Sequence, residues 1–314
     1  MIRLEHVVSV RQFDRPALEA LFALAREMEA VVAAGGSDRL RGRILATLFF
    51  EPSTRTRLSF EAAMYRLGGE VLSVESGRET SSTAKGETIE DTIRIVEGYA
   101  DAIAVRHPHE GAAARAVAVA RVPILNAGDG GGEHPTQSLI DLYTVERELG
   151  RIDGLRIALV GDLRYGRAAR SLALLLPETR GVELICVAPP GLELRPDVLA
   201  YLDERGIACR QERDLAAVLP RVDVVYQTRV QRERFADPEG AGGVAGIPII
   251  DEAAMALLPP GAIVLHPLPR VDEIAPGVDA DRRAAYFRQA HNGLYVRMAL
   301  LAACLERGAV GRGP

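Results

Sequence analysis

From residue 44 onward, short apolar runs alternate with segments whose apolar residues recur at helical spacing, and nothing else in the chain narrows its fold as far. "ILATLFF" (44–50) reads as a buried strand. The segment after it puts Phe60, Ala63, Met64 and Leu67 at the i, i+3, i+4, i+7 positions of one helix face, and Gly68 with Gly69 supplies a stop. "EVLSV" is a second strand, followed by a helix with Ile89, Ile93, Val96 and Ala100 on one side. "DAIAVR", "VPILNA" and the helical "HPTQSLIDLYTVEREL" continue the alternation. The polar "GRIDG" (150–154) interrupts it. The pattern restarts with strand "LRIALVG", a helix from 167, strand "VELICV", a helix near 197–204, and strands "VDVVYQ" and "AIVLH". The C-terminal "RAAYFRQAHNGLYVRMALLAACLERG" reads as one or two long helices, and 235–248 as a long loop.

Such alternation implies parallel sheets flanked by helices. At 314 residues the chain is about twice a typical domain, so an α/β protein of two domains joined near residue 150 is expected. The net charge of -5 argues against a nucleic-acid partner. No apolar run reaches the roughly 18 residues needed to cross a bilayer. The first residues, "MIRLEHVVSVRQFDRP", hold no apolar core of a signal peptide. Cys186, Cys209 and Cys304 are odd in number and lack C-x-x-C spacing, which suits a reducing cytoplasm and opposes a disulfide framework. No His, Cys, Asp or Glu grouping has metal-ligand spacing, so no metal site is expected from the spacing.

The chemistry-bearing residues cluster after strands. In "FFEPSTRTRLSF" a strand ends at Phe50, and Ser53, Thr54, Arg55, Thr56 and Arg57 stand at the mouth of a helix. Free N–H groups, hydroxyls and guanidinium charge there suit a phosphate, although a capped helix with two surface arginines has the same text. Arg106 follows another strand, where a lone surface charge is the plain alternative. His134 sits at a helix start with Pro135 in the first turn and Gln137 one turn along. It is either a cap or an imidazole aimed at a ligand carbonyl. Arg167 opens a helix after "VGDLRYG", and Arg229 and Gln231 follow a later strand; arginines there suit carboxylates. "LHPLPRVDE" is a rigid segment able to present carbonyls, or an ordinary Pro-rich turn. "GDLRYG" is neither G-x-G-x-x-G nor a Walker A loop, so a nucleotide-binding oxidoreductase is poorly supported.

Taken together, "EPSTRTRLSFE", "RHPHEGAA", "NAGDGGGEHPTQSLIDLYT", "VGDLRYGR", "TRVQRER" and "VLHPLPRVDEI" resemble the catalytic chains of the aspartate carbamoyltransferase family, in the family's order across nearly the whole chain. The ornithine carbamoyltransferases share the "STRTR" and "HPTQ" elements but carry H-C-L-P and Ser-Met-Gly. Here Pro267 stands at the Cys position, and no Ser-Met-Gly occurs.

The resemblance implies transfer of a carbamoyl group from carbamoyl phosphate to L-aspartate, with no metal or organic cofactor needed. It implies a carbamoyl-phosphate domain over 1–149, completed by a C-terminal helix over 288–314, and an aspartate domain over 150–287. It implies that Ser53, Thr54, Arg55 and Thr56 hold the phosphate, and that Thr56, Arg106 and His134 grip the carbonyl oxygen. Gln137 and the Leu268 carbonyl, beside Pro269, meet the amino group. Arg167, Arg229 and Gln231 bind the aspartate. Homotrimers with shared sites are implied, with Ser81 and Lys85 reaching a neighbour's site and Ala84 where some relatives have a second Lys. A regulatory chain or dihydroorotase is a further partner in some relatives. Lys85 is the only lysine among 38 basic residues. The resemblance gives that oddity a role.

Overall fold

In the computed structural model, which describes residues 2–75, 86–231 and 246–306, the first helix precedes the alternating pattern. Helix α1 (Arg15–Ala33) begins where the Asp14 carboxylate accepts the Ala17 amide at 2.9 Å, with Pro16 in its first turn. It buries Leu18, Leu21, Phe22, Ala25 and Met28, a single apolar face that the sequence reading passed over.

The chain gathers into two compact units, one of Met1–Thr136 with Gly293–Pro314, the other of Gln137–Asn292. In the first, β1 (Ile44–Phe49), α2 (Thr54–Arg66), β2 (Glu70–Glu75), α3 (Ile89–Val96), β3 (Ala102–His107), α4 (Ala112–Val117) and β4 (Ile124–Asp129) form a parallel sheet in the order β2-β1-β3-β4 with its helices. The helix face expected from spacing is the buried one: Phe60, Ala63, Met64 and Leu67 are inaccessible. Ile89 and Ile93 of α3 and Ala116 of α4 pack on Ala46, Leu48, Ile103, Val105 and Ile124 of the sheet. Arg106, expected just past its strand, is the penultimate residue of β3.

Helix α5 (Pro135–Leu149) carries the chain from one unit to the other in its first turn, earlier than the polar stretch at 150–154. A helix that runs on without a break gives composition nothing to mark. The second unit holds β5 (Arg156–Val160), α6 (Arg167–Leu175), β6 (Glu183–Val187), α7 (Pro196–Glu204), β7 (Ala208–Glu212), α8 (Leu215–Val218), β8 (Val224–Gln227), α9 (Glu252–Leu257) and β9 (Ile263–Leu265). Its sheet is parallel, in the order β7-β6-β5-β8-β9. Strand β7 was not foreseen: its text is "ACRQE", it lies at the sheet edge and most of its side chains are solvated. Helix α10 (Tyr286–Leu305) begins in this unit and ends in the other. Most of the expected 235–248 loop lies outside the described residues. Among the described residues no helix is long and apolar enough to cross a membrane.

Candidate active site

Both sheets reverse their strand order at one place, and in open α/β sheets ligands bind outside the strand carboxyl ends at such a point. In the first unit the reversal lies between β1 and β3. There Phe49 is in register with Arg106, and the Phe50 amide donates to the Arg106 carbonyl at 2.8 Å. The chain leaving β1 turns through Pro52 into α2, whose N-cap is Ser53. The Ser53 side chain makes no capping bond, so the plain reading of that serine as a helix cap fails. Thr56, one turn in, is buried. Arg55 is exposed at the helix mouth, and partial desolvation lowers its pKa from the ordinary value. Arg57 differs: it donates to the Ser73 hydroxyl at 3.3 Å, and its Nε lies 4.0 Å from Glu61.

The Arg106 guanidinium is held from two sides. Its Nη1 donates to the Ala127 carbonyl of β4 at 3.2 Å, and its Nε lies 3.2 Å from Glu51. Backbone strand and carboxylate together fix its direction, so the residue is more than a loose surface charge. His134 is buried and reached by a tight loop after β4. In that loop Asp129 accepts the Glu133 amide at 3.0 Å and the Gly111 amide at 2.9 Å. Gly130, at φ +49°, permits the turn: a Cβ there would stand 2.6 Å from the Pro108 carbonyl oxygen.

In the second unit the reversal lies between β5 and β8, where Val160 is in register with Gln227. Gly161, at φ +109°, leaves β5 so close to its neighbour that a Cβ would fall 2.3 Å from the Thr228 carbonyl oxygen. The buried Asp162 next to it splints the two loops. Its Oδ1 accepts the Arg164 and Tyr165 amides at 3.1 and 2.9 Å, and its Oδ2 accepts the Gln231 amide at 3.0 Å. Arg167 opens α6 and is buried. Arg229 donates to the Val230 carbonyl at 3.2 Å and to Gln231 Oε1 at 3.3 Å. The sequence reading named Arg167, Arg229 and Gln231 and missed Asp162, whose partners are spread over 69 positions of chain.

Leu268 and Pro269 follow β9. Leu268 is the one described non-glycine residue with positive φ, at +52°. Its amide donates to His266 Nδ1 at 2.8 Å, which leaves the proton on Nε2 to meet Glu273 at 2.7 Å. The His266 pKa is lowered by burial, and Glu273 only partly offsets this. An Nδ1 that accepts an amide belongs to the neutral ring, and the lowered pKa runs in the same direction. Gln137 lies in the first turn of α5. Ser81 and Lys85 lie outside the described residues. Among the described residues no three His, Cys, Asp or Glu side chains are grouped to hold a metal. A cavity of 320 Å³ lined by Arg3, Arg43, Asp101, Cys304 and Glu306 shares no residue with these sets.

The arrangement places the mouth of α2, with Arg55, and a fixed guanidinium in one unit, and Arg167, Arg229 and the constrained Leu268 loop in the other. The family model for the aspartate/ornithine carbamoyltransferase carbamoyl-P binding domain matches residues 5–147, and that for the Asp/Orn binding domain matches 153–304. The chain is 53% identical over 307 residues to the chloroplastic aspartate carbamoyltransferase of Oryza sativa subsp. japonica, covering 96% of this chain and 85% of that one. It is 52% identical over 307 residues to the aspartate carbamoyltransferase catalytic subunit of Methanopyrus kandleri, covering 96% and 97%. Among solved structures, aspartate transcarbamoylase of Trypanosoma cruzi in complex with carbamoyl phosphate and aspartate matches with a TM-score of 0.91 and 44% identity, covering 97% and 98%.

Proposed function

Because the chain belongs to the aspartate/ornithine carbamoyltransferase family, we propose how its residues divide the labour of one reaction. The chain moves the carbamoyl group of carbamoyl phosphate to the amino group of L-aspartate, giving N-carbamoyl-L-aspartate and phosphate, the committed step of pyrimidine synthesis. The neutral aspartate nitrogen attacks the carbonyl carbon, the carbonyl oxygen gains negative charge, the carbon–oxygen bond to phosphate breaks, and the nitrogen's surplus proton leaves with the phosphate.

Each proposed role follows from that charge movement. Ser53, Thr54, Arg55 and Thr56 take the phosphate, and Arg55 stabilises it as it leaves. Arg106, His134 and Thr56 donate to the carbonyl oxygen, where donors fixed before reaction lower the barrier most. Gln137 and the Leu268 carbonyl accept from the carbamoyl amino group, with Pro269 beside them. Arg167, Arg229 and Gln231 hold the aspartate carboxylates. Two small substrates held in order supply much of the remaining acceleration. Ser81 and Lys85 serve a neighbouring subunit's site in a homotrimer. The carbamoyl-phosphate domain is taken as 1–149 with 288–314 and the aspartate domain as 150–287, bounds that keep α5 whole where the compact units divide within it. The protein works in the cytoplasm, a setting in keeping with its free cysteines.

One observation carries the assignment: the Ser53–Arg57 run opens α2 at the strand-order reversal, just past Phe49, which is in register with a doubly held Arg106. The test is phosphate release from carbamoyl phosphate alone, with L-aspartate and with L-ornithine. Release dependent on aspartate and not on ornithine is expected; its absence removes the assignment. The native mass of the purified complex separates a bare trimer from one carrying a regulatory chain or dihydroorotase.

A further inference from the structure

A buried carboxylate outside the residues named so far ties two of them together. Asp141, one turn beyond Gln137 on α5, is fully inaccessible. Its Oδ1 accepts the Gln137 Nε2 at 2.8 Å and the Gln289 Nε2 at 2.6 Å, and its Oδ2 accepts the Tyr226 hydroxyl at 2.8 Å. An ionised carboxylate only accepts hydrogen bonds, so both amides must turn their NH2 groups toward it. Chemistry, rather than an arbitrary choice of amide orientation, therefore decides which end of each glutamine faces elsewhere. For Gln137 that end is Oε1, an acceptor. For Gln289 it is the Oε1 that accepts the His266 amide at 2.8 Å. His266 in turn accepts the Leu268 amide through Nδ1 at 2.8 Å, which fixes the plane of the peptide just before Leu268. Tyr226 is kept protonated, its pKa raised by burial and by the adjacent Asp141, so it continues to donate.

We propose that Asp141 is a positioning residue that sets the polarity of the carbamoyl-amino subsite, holding Gln137 directly and the Leu268 loop through Gln289 and His266. This rests on the functional reading above and extends it from which residues meet the amino group to what makes them acceptors. A subsite of acceptors favours a ligand carrying N–H donors over one of the same shape without them, because an unpaired buried acceptor costs free energy. Acetyl phosphate, with methyl in place of the amino group, is the matching probe.

The experiment measures the KM for carbamoyl phosphate and the inhibition constant of acetyl phosphate against it, at saturating L-aspartate. In Asp141→Leu the amides lose their acceptor. The carbamoyl phosphate KM is expected to rise about tenfold or more, and the acetyl phosphate constant to stay within about threefold. A purely structural role would move both together. Asp141→Asn keeps an oxygen for the two amides and can turn its NH2 to the Tyr226 oxygen, so it is expected to preserve the ratio. Gln289→Met, which cuts only the relay to Leu268, should shift the ratio severalfold, and it carries the test if Asp141→Leu does not fold. A folded Asp141→Leu or Gln289→Met with an unchanged ratio overturns the proposal, as does an Asp141→Asn that loses the ratio as fully as Asp141→Leu. If the wild type shows no aspartate-dependent phosphate release, it is the functional reading that has failed.

Discussion

Lys85 and Arg106 are both cations assigned to one substrate, yet they place opposite demands on a side chain. Arg106 is a fork held in plane by Glu51 and the Ala127 carbonyl, a geometry an ammonium cannot copy. Lys85 is the only lysine in a chain that otherwise uses arginine, and a point charge on a flexible stem suits a contact delivered from another subunit. Lys85→Arg is expected to cut turnover by at least about tenfold while leaving the thermal midpoint within about 2 °C, since the exchange keeps the charge and the assigned role is toward substrate. Steady-state kinetics and a melting curve on the same preparation check this; near-wild-type turnover would make Lys85 a compositional remnant. The residues assigned to the substrates were legible in the sequence because each lies at or beyond a strand end: Ser53, Arg55, Arg106, Arg167 and Arg229. Those that hold such residues in place were not. Asp162 and Asp141 each have near partners, but the bonds by which they tie separate segments together reach far along the chain, 69 residues from Asp162 to Gln231 and 85 from Asp141 to Tyr226, and no local pattern announces a contact of that kind.

Among the elements, strands buried in the sheets declared themselves by apolar runs, and α2 by its spacing. Edge strand β7 did not, because an outer strand needs few apolar side chains and "ACRQE" has the polarity of a loop. The short helices α4 and α9 offer too few turns for periodicity to register. Helix α1 did carry its signals, a carboxylate cap, an early proline and one apolar face, so its omission was a failure of reading. The join of β5 to α6 rests on one glycine. Gly161→Ala would drive a Cβ into the Thr228 carbonyl at a backbone angle that alanine resists. We expect a loss of about 3 kcal/mol in urea unfolding. Because Thr228 leads into Arg229 and Gln231, the KM for L-aspartate should rise more than that for carbamoyl phosphate. Equal effects on both would show that the tight turn does not position the carboxylate-binding pair.

At the scale of the whole molecule, two buried histidines couple stability to pH. Burial lowers the pKa of His107, with His109 adding to the effect, and burial also lowers that of His266. Both are therefore neutral when folded at pH values where the unfolded chain, titrating near the ordinary value of about 6.5, already binds protons. The unfolded state gains protons first as pH falls, so stability is greatest above about pH 6.5 and declines below it toward the folded-state pKa values. Urea midpoints at about pH 7.5 and 5.5 should fall in that order, and His107→Asn should flatten the difference. The proposed shared sites have their own test. Mixing Lys85→Ala with Arg55→Ala protein after dissociation should restore about a quarter of wild-type activity in randomly reassembled trimers, since a site then needs one partner of each kind. Two inactive variants that stay inactive when mixed would place each complete site within one chain.

The first unit draws its residues from both ends of the sequence. The Leu4 amide donates to the Ala303 carbonyl at 3.1 Å, and Val296, Met298, Leu300 and Leu301 of α10 are buried. This sets an order of birth. The four-stranded sheet leaves the ribosome first and closes last, because the helix that completes its unit is made after all of Gln137–Asn292. At about 5–20 residues per second, a nascent chain spends roughly ten to thirty seconds with that first sheet unfinished while the five-stranded one becomes complete. The half of the molecule assigned to carbamoyl phosphate is therefore the half that most needs sheltering during synthesis.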